Sequence, residues 1–205
     1  MAHRDITATI VEIQIQNPCT NVKYPQVKLN NYIVEAHIND LIKEQVFYLI
    51  PGEGCDVYEE IFGKYKIAVN RNSTLSVVLD VYTFRWHAAN GLDVQKSITA
   101  NLQNGDAYYF YNLFKADSNY KAVMDAIILK QIEEQQIPLI RPFPGVTDDQ
   151  EYYLTDKALV VYYQEIQFTP HYVGIPEFTI PYVGIESIIR KDGPIGRLMR
   201  TDSHT

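Results

Sequence analysis

From Thr74 to Trp86 apolar and polar side chains alternate: Leu75, Val77, Leu79 and Val81 fall on one side, Ser76, Asp80 and Tyr82 on the other. Successive side chains of a strand point to opposite faces, so this pattern demands a sheet with one face on a core. Asn70-Arg71-Asn72-Ser73 before it reads as a turn from a strand at Tyr65–Val69, and Leu92–Leu102 reads as a third strand, closed by the hairpin signal Asn104-Gly105. An earlier strand is expected over Ile6–Ile15, with one shift of phase that suggests a bulge, and Tyr24-Pro25 reads as extended chain.

Two long helices interrupt the strands. The first is expected over Asn31–Leu49, with Val34, Ile38, Leu41, Ile42 and Leu49 on its apolar face, and Pro51-Gly52-Glu53-Gly54 breaks it. Asp56–Gly63 is read as a short second helical piece. Asp117 or Ser118 caps the other long helix, whose face is Tyr120, Val123, Met124, Ile127 and Ile132 and which Pro138 ends. Strands follow at Tyr152–Leu154, Ala158–Tyr163 and Phe178–Tyr182. The order β-α-β-β-β-α-β-β predicts an α+β fold: a mixed, largely antiparallel sheet packed against two long helices.

With 205 residues and no shift of composition, the chain reads as a single domain, 1–205. Pro138–Asp149 is the most plausible seam between an N-terminal half, 1–137, and a C-terminal half, 138–205. A hydrophobic fraction of 46% excludes a disordered chain, and 16 tyrosines suit strands and adhesive surfaces. The net charge of -7 leaves no basic stripe to displace counterions, which argues against nucleic acid. No run approaches a membrane span, and Met1-Ala2-His3-Arg4-Asp5 lacks an apolar signal core. The chain as it stands therefore reads as cytoplasmic, or as extracytoplasmic if it is a trimmed piece. Cys19 and Cys55 are either reduced thiols or one disulfide between the first strand and the end of the first helix. A chain this large needs no staple, so reduced thiols are expected.

Catalytic patterns are missing. Pro51-Gly52-Glu53-Gly54 lacks the Lys-Ser/Thr of a phosphate loop, and no Gly-x-Ser-x-Gly occurs. His3, His37, His87, His171 and His204 show no ligand spacing, so neither metal nor cofactor is expected. Glu59-Glu60 and Glu133-Glu134 are read as solvated helix faces, and Asp148-Asp149 as turn formers. A hydrolase would require Asp148, Asp149 or Glu165 to converge with a histidine in a cleft. Asn72-Ser73-Thr74 fits a glycosylation sequon, but the turn reading is preferred.

Two stretches invite a functional reading. Trp86-His87-Ala88-Ala89-Asn90-Gly91 is a small-residue turn, which Trp86 is expected to anchor in the core. Phe168-Thr169-Pro170-His171-Tyr172 opens a loop rich in aromatics, Pro and Gly. It is either a structured crossover or a binding surface, because aromatic side chains dominate interface energetics. The candidate binding residues are Phe168, Pro170, His171 and Tyr172, with His87 and Asn90 as a lesser set.

Tyr152-Tyr153-Leu154-Thr155-Asp156-Lys157-Ala158-Leu159-Val160-Val161-Tyr162-Tyr163, with Gly174-Ile175-Pro176 and Ile180-Pro181-Tyr182, resembles a bacterial family. It is the domain of unknown function at the C-terminus of the lysozyme-sensing anti-sigma-V factor and in a peptidoglycan deacetylase as an accessory module. Segments such as Ser76–Tyr82, Ser97–Gly105 and Asn112-Leu113-Phe114 resemble the companion N-terminal half. The tail Ile188–Met199 is similar to short stand-alone Firmicute members. The resemblance implies a mixed α/β domain that binds a protein such as lysozyme, or a cell-wall fragment, without chemistry of its own. An intracellular structural or regulatory module is the alternative. The chain departs from the family's usual residues at Asn90, Ile166-Gln167 and Pro170-His171, which implies a different partner or affinity.

Overall fold

The computed structural model describes residues 5–200. Among these residues, eight strands lie in two sheets. Strands β1 (Thr9–Gln16), β2 (Thr20–Lys28), β3 (Tyr58–Arg71), β4 (Thr74–Arg85) and β5 (Leu92–Asn101) form the larger, in the order β1-β2-β3-β4-β5. All its pairs are antiparallel except β2 with β3. Strands β6 (Tyr152–Leu154), β7 (Ala158–Tyr162) and β8 (Glu177–Pro181) form a small antiparallel sheet. The α+β class and its two long helices hold, but the strands divide between two sheets rather than one.

Helix α1 (Tyr32–Leu49) starts where expected, because the Asn31 side chain accepts from the main-chain N–H groups of Ile33 and Val34. It buries Val34, Ile38, Ile42, Val46 and Leu49 in one core with Leu75, Val77, Leu79 and Val81 of β4. On the opposite face of β4, Val78 meets Tyr153, Val160 and Tyr162 of the small sheet. The Ser76 hydroxyl accepts from the Leu154 N–H at 3.0 Å, tying the two sheets together. Helix α2 (Tyr120–Glu134) covers the far side of the small sheet through Met124, Ile128 and Ile132. Neither Asp117 nor Ser118 caps it: Asn119 holds the N-cap position, and the Ser118 hydroxyl donates to the Lys115 oxygen instead. A short helix α3 (Pro194–Leu198) seals the same core with Ile195 and Leu198.

Three local expectations are corrected. The segment Thr20–Lys28 is a full strand despite Pro25, because β2 pairs with β3 only at residues 20–22, so the missing N–H removes no bond on that side. Glu59 and Glu60 lie on β3, not on a helix, and only Gly54–Asp56 forms a helical turn. Cys19 and Cys55 are joined in a disulfide, with Cα atoms 5.4 Å apart. The Asn17 carboxamide accepts from the Thr20 N–H and folds the β1–β2 turn back, and Ile61 then donates to the Cys19 oxygen at 2.7 Å. That pairing carries the chain just before β3, and Cys55 with it, up to Cys19.

The Asn70–Ser73 turn forms as expected, with Asn72 and Ser73 at φ 49° and 56°. Asn72 is buried and donates to the Arg197 oxygen at 3.0 Å, leaving no room for a glycan. Among the described residues, no helix is long and apolar enough to cross a membrane.

Candidate functional loop surface

The two stretches singled out in the sequence meet. The turn after β4 and the loop after β7 lie at the same end of the two sheets, and His171 joins them. Its Nε2 lies 3.0 Å from the Gly91 main-chain oxygen and 3.3 Å from Glu165 Oε1. The other Glu165 oxygen accepts from the Asp93 N–H at 2.9 Å. The Glu165 side chain is only 4% exposed, and a carboxylate so buried must be partnered. Here a ring nitrogen and a main-chain N–H partner it. Gln164 extends the clasp, accepting from the Gln95 N–H at 3.1 Å and donating to its oxygen at 2.7 Å.

The turn itself is wrapped around Tyr82. A Cβ on Gly91 would fall 2.2 Å from the tip of the Tyr82 ring, so the close approach requires glycine unless that ring swings away. His87 takes a positive φ of 61°, and both His87 and Asn90 are exposed. Trp86 is not a core anchor: it is 51% exposed, with its indole N–H donating to the Cys55 oxygen at 3.2 Å. The physical cause is the strand end, where β4 has run past the apolar layer. Its position ties the turn to the disulfide segment.

Within the later loop, Phe168 is core rather than surface. It packs edge-on against Tyr163 and Phe143, at ring distances of 5.1 and 5.7 Å, and supports the loop from below. Thr169 is fully buried and Pro170 half-buried, while His171–Val173 forms a single helical turn that presents Tyr172 at 79% exposure. Ile166 has φ 63°, a conformation that strains a β-branched residue, and it stands exposed at the bend before Phe168. The Ile140 N–H donates to the Phe168 oxygen at 2.9 Å, which brings Leu139 and Ile140 alongside.

Around this clasp Leu92, next to Gly91, Ile140 and Ile166, close to Phe168 by hydrogen bond or in chain, and Tyr172, next to His171, are each exposed. Sequence reasoning found Tyr172 and His171 but missed Leu92, Ile140 and Ile166. Isolated apolar residues in irregular segments carry no periodicity, so nothing in the sequence pattern marks them.

The carboxylates considered for hydrolysis separate. Asp148 is held by Lys121 at 2.8 Å and by the Tyr120 hydroxyl, and these bonds, Lys121 first, lower its pKa. Asp149 accepts from the Thr147 hydroxyl, which lowers its pKa as well. Glu165 does meet a histidine, but the His171 Nε2 is directed at a main-chain oxygen, and no hydroxyl or thiol is hydrogen-bonded to the ring among the described residues. The pair acts as a clasp between loops. Among the described residues, no group of three or more His, Cys, Asp or Glu could hold a metal ion, and His3 and His204 lie outside them.

Comparison with known proteins finds similarity over this part of the chain. Residues 111–183 match the family described as a protein of unknown function, DUF3298. The chain is 27% identical over 202 residues to the anti-sigma-V factor RsiV of Bacillus subtilis (strain 168), covering 88% of this chain and 70% of that protein. A DUF3298 member from Bacteroides fragilis shares the fold with a TM-score of 0.68 at 14% identity, covering 94% of this chain and 97% of the other. A DUF3298 protein from Pseudomonas aeruginosa PAO1 gives a TM-score of 0.57 at 16% identity, with 97% of each chain covered. The matched residues 111–183 carry α2, the small sheet and the His171 loop, so the likeness to the DUF3298 family falls on that part of the fold.

Proposed function

We propose that this chain is a non-enzymatic binding domain that recognises a protein through the surface formed by Leu92, Ile140, Ile166 and Tyr172. The observation that carries this reading is the clasp itself. His171 and Glu165 hold two irregular segments in a fixed relation, and the side chains fixed in this way are large, apolar and exposed. Pre-ordered apolar side chains bind with less entropy lost than mobile ones, and a buried structure beneath them keeps the surface in shape. The likeness to an anti-sigma factor supports a protein as partner. His87 and Asn90, exposed in the turn on the other side of Gly91, form the rim of the same surface.

The disulfide supports an extracytoplasmic setting for the folded chain, since disulfides persist in oxidising compartments. It weighs against the intracellular regulatory module.

Calorimetric titration with lysozyme tests the reading. Saturable heat that falls by more than about 1 kcal/mol of binding free energy in the His171→Ala/Tyr172→Ala variant is the expected result. No heat with the unmodified chain rules out lysozyme as the partner. Unchanged affinity in the variant rules out the loop.

A further inference from the structure

Strand β1 forms the edge of the larger sheet opposite β5, and β2 is its only neighbour there. Two places on β2 show which main-chain groups of β1 face outward. Across the β1–β2 turn, Asn17 and Thr20 exchange both N–H···O bonds, so Asn17 faces β2. At the other end Val27 stands opposite Ile10, yet its N–H and C=O both go to the Asn39 carboxamide of α1. Bonded and open pairs alternate along an antiparallel ladder, and the β1–β2 register runs through without a shift. Ile10, Glu12, Gln14 and Gln16 therefore turn their N–H and C=O groups away from β2.

Nearer the start of the chain the outward groups are taken. Ser73 holds the N–H and C=O of Ile6, and the Asn70 carboxamide holds those of Ala8. From Ile10 to Gln16 no main-chain or side-chain group among the described residues bonds to them. Glu12, Gln14 and Gln16 are exposed and Ile10 is half-buried.

Edge strands are ordinarily guarded by Pro, Lys, a bulge or a covering segment. The sequence Thr-Ile-Val-Glu-Ile-Gln-Ile-Gln of β1 carries neither Pro nor Lys, and it has no bulge. Its one charge, Glu12, is offset by Lys23 of β2 at 2.9 Å. A strand this unguarded is a template for another strand.

The edge is complementary to itself in one register. Two copies related by a two-fold axis pair antiparallel, outward residue against outward residue. An axis at Glu12 sets Glu12 against Glu12. One at Val11 calls on Ala8, which Asn70 already holds, and one at Gln14 calls on Pro18, which has no N–H. An axis at Ile13 pairs Ile10 with Gln16 and Glu12 with Gln14, using every outward residue and opposing no like charges. It also sets Ile13 on itself and Val11, 38% exposed, against Ile15.

We propose that the chain forms a two-fold homodimer by antiparallel pairing of β1 with β1 of a second copy, centred on Ile13. The two sheets become one continuous sheet. The clasp lies along β5, at the opposite edge, so the dimer leaves both copies of the protein-recognition surface open.

Sedimentation equilibrium of the full chain from micromolar to millimolar concentration tests this, with amide hydrogen exchange at both ends of the range. A monomer–dimer equilibrium is expected, with the Ile10, Glu12, Gln14 and Gln16 amides protected only where the dimer is populated. Gln14→Glu opposes a carboxylate to Glu12 of the second copy at two symmetric points, and should weaken the dimer roughly three- to tenfold. Gln14→Lys places an ammonium there and should tighten it by a similar factor. Gln14→Pro removes an outward donor but no bond to β2, and should raise the dimer Kd at least about tenfold. Gln14 is exposed, so the two charge variants should fold as the parent does, whatever the proline does to the strand. A chain that is monomeric at every concentration overturns the proposal and leaves the edge to a strand of a different protein. It is equally overturned by association that runs past the dimer, by unprotected β1 amides within a dimer, or by charge variants of equal affinity.

Discussion

The imidazole of His171 reaches across 80 residues of sequence to the main-chain oxygen of Gly91, 3.0 Å away, and to the buried carboxylate of Glu165. Two irregular segments from opposite halves of the chain thereby become a single surface. Glu165 is the more buried member of the pair, and it also accepts from the Asp93 N–H.

Glu165→Ala should therefore destabilise the fold by about 1–3 kcal/mol, since it leaves the Asp93 N–H without its acceptor and removes one of the two oxygens beside the His171 ring nitrogen. Chemical denaturation measures this. A variant as stable as the parent would show that water replaces the carboxylate freely.

Tyr172→Ala should behave in the opposite way. The side chain is 79% exposed, so its removal should leave the unfolding free energy within about 0.5 kcal/mol while weakening partner capture. A large loss of Tm would assign the ring a structural role.

Cys19→Ser/Cys55→Ser should cost up to about 4 kcal/mol, the entropy of a closed loop spanning a separation of 36 residues. Mass spectrometry after alkylation under denaturing, non-reducing conditions should find neither thiol labelled in the parent. Full labelling would place the pair in the reduced state.

Asp80 supplies a pH-dependent test. Burial raises its pKa, with Glu177 and Asp93 adding to the shift and Lys64 and Lys66 opposing it. An acid whose folded pKa is raised binds its proton more tightly in the native state. Stability from this group is therefore lost as pH rises through the folded value and is regained as pH falls towards the ordinary carboxylate range. Asp80→Asn should accordingly melt higher than the parent at pH 7, with the advantage shrinking towards pH 4. A variant less stable at pH 7 would mean that the pairing with Lys64 outweighs burial.

Gly196→Ala tests the tail. A Cβ there would sit 2.2 Å from the Lys191 main-chain oxygen, and main chain cannot swing aside as a side chain can. Loss of about 1–3 kcal/mol is expected, with earlier hydrogen exchange around Ile195 and Leu198. Unchanged exchange there would mean that α3 shifts without leaving the core.

Much of this molecule is determined locally and was open to reading in order. The alternation Leu75-Val77-Leu79-Val81 sets the face that α1 covers, Asn31 sets the start of that helix, and Asn72 and Ser73 take the left-handed conformation their turn requires. Each follows from residues within a few positions of one another, where periodicity and capping act. Other features depend on register between distant segments. Pro25 is tolerated in a strand only because β3 pairs no further than residue 22 of β2, and Cys19 meets Cys55 only because that same pairing carries the start of β3 to the β1–β2 turn. His171 finds Gly91 and Glu165 only after the small sheet has docked on the large one. Such contacts are set by how the sheets stack and not by any local pattern, so they exist in the tertiary structure alone.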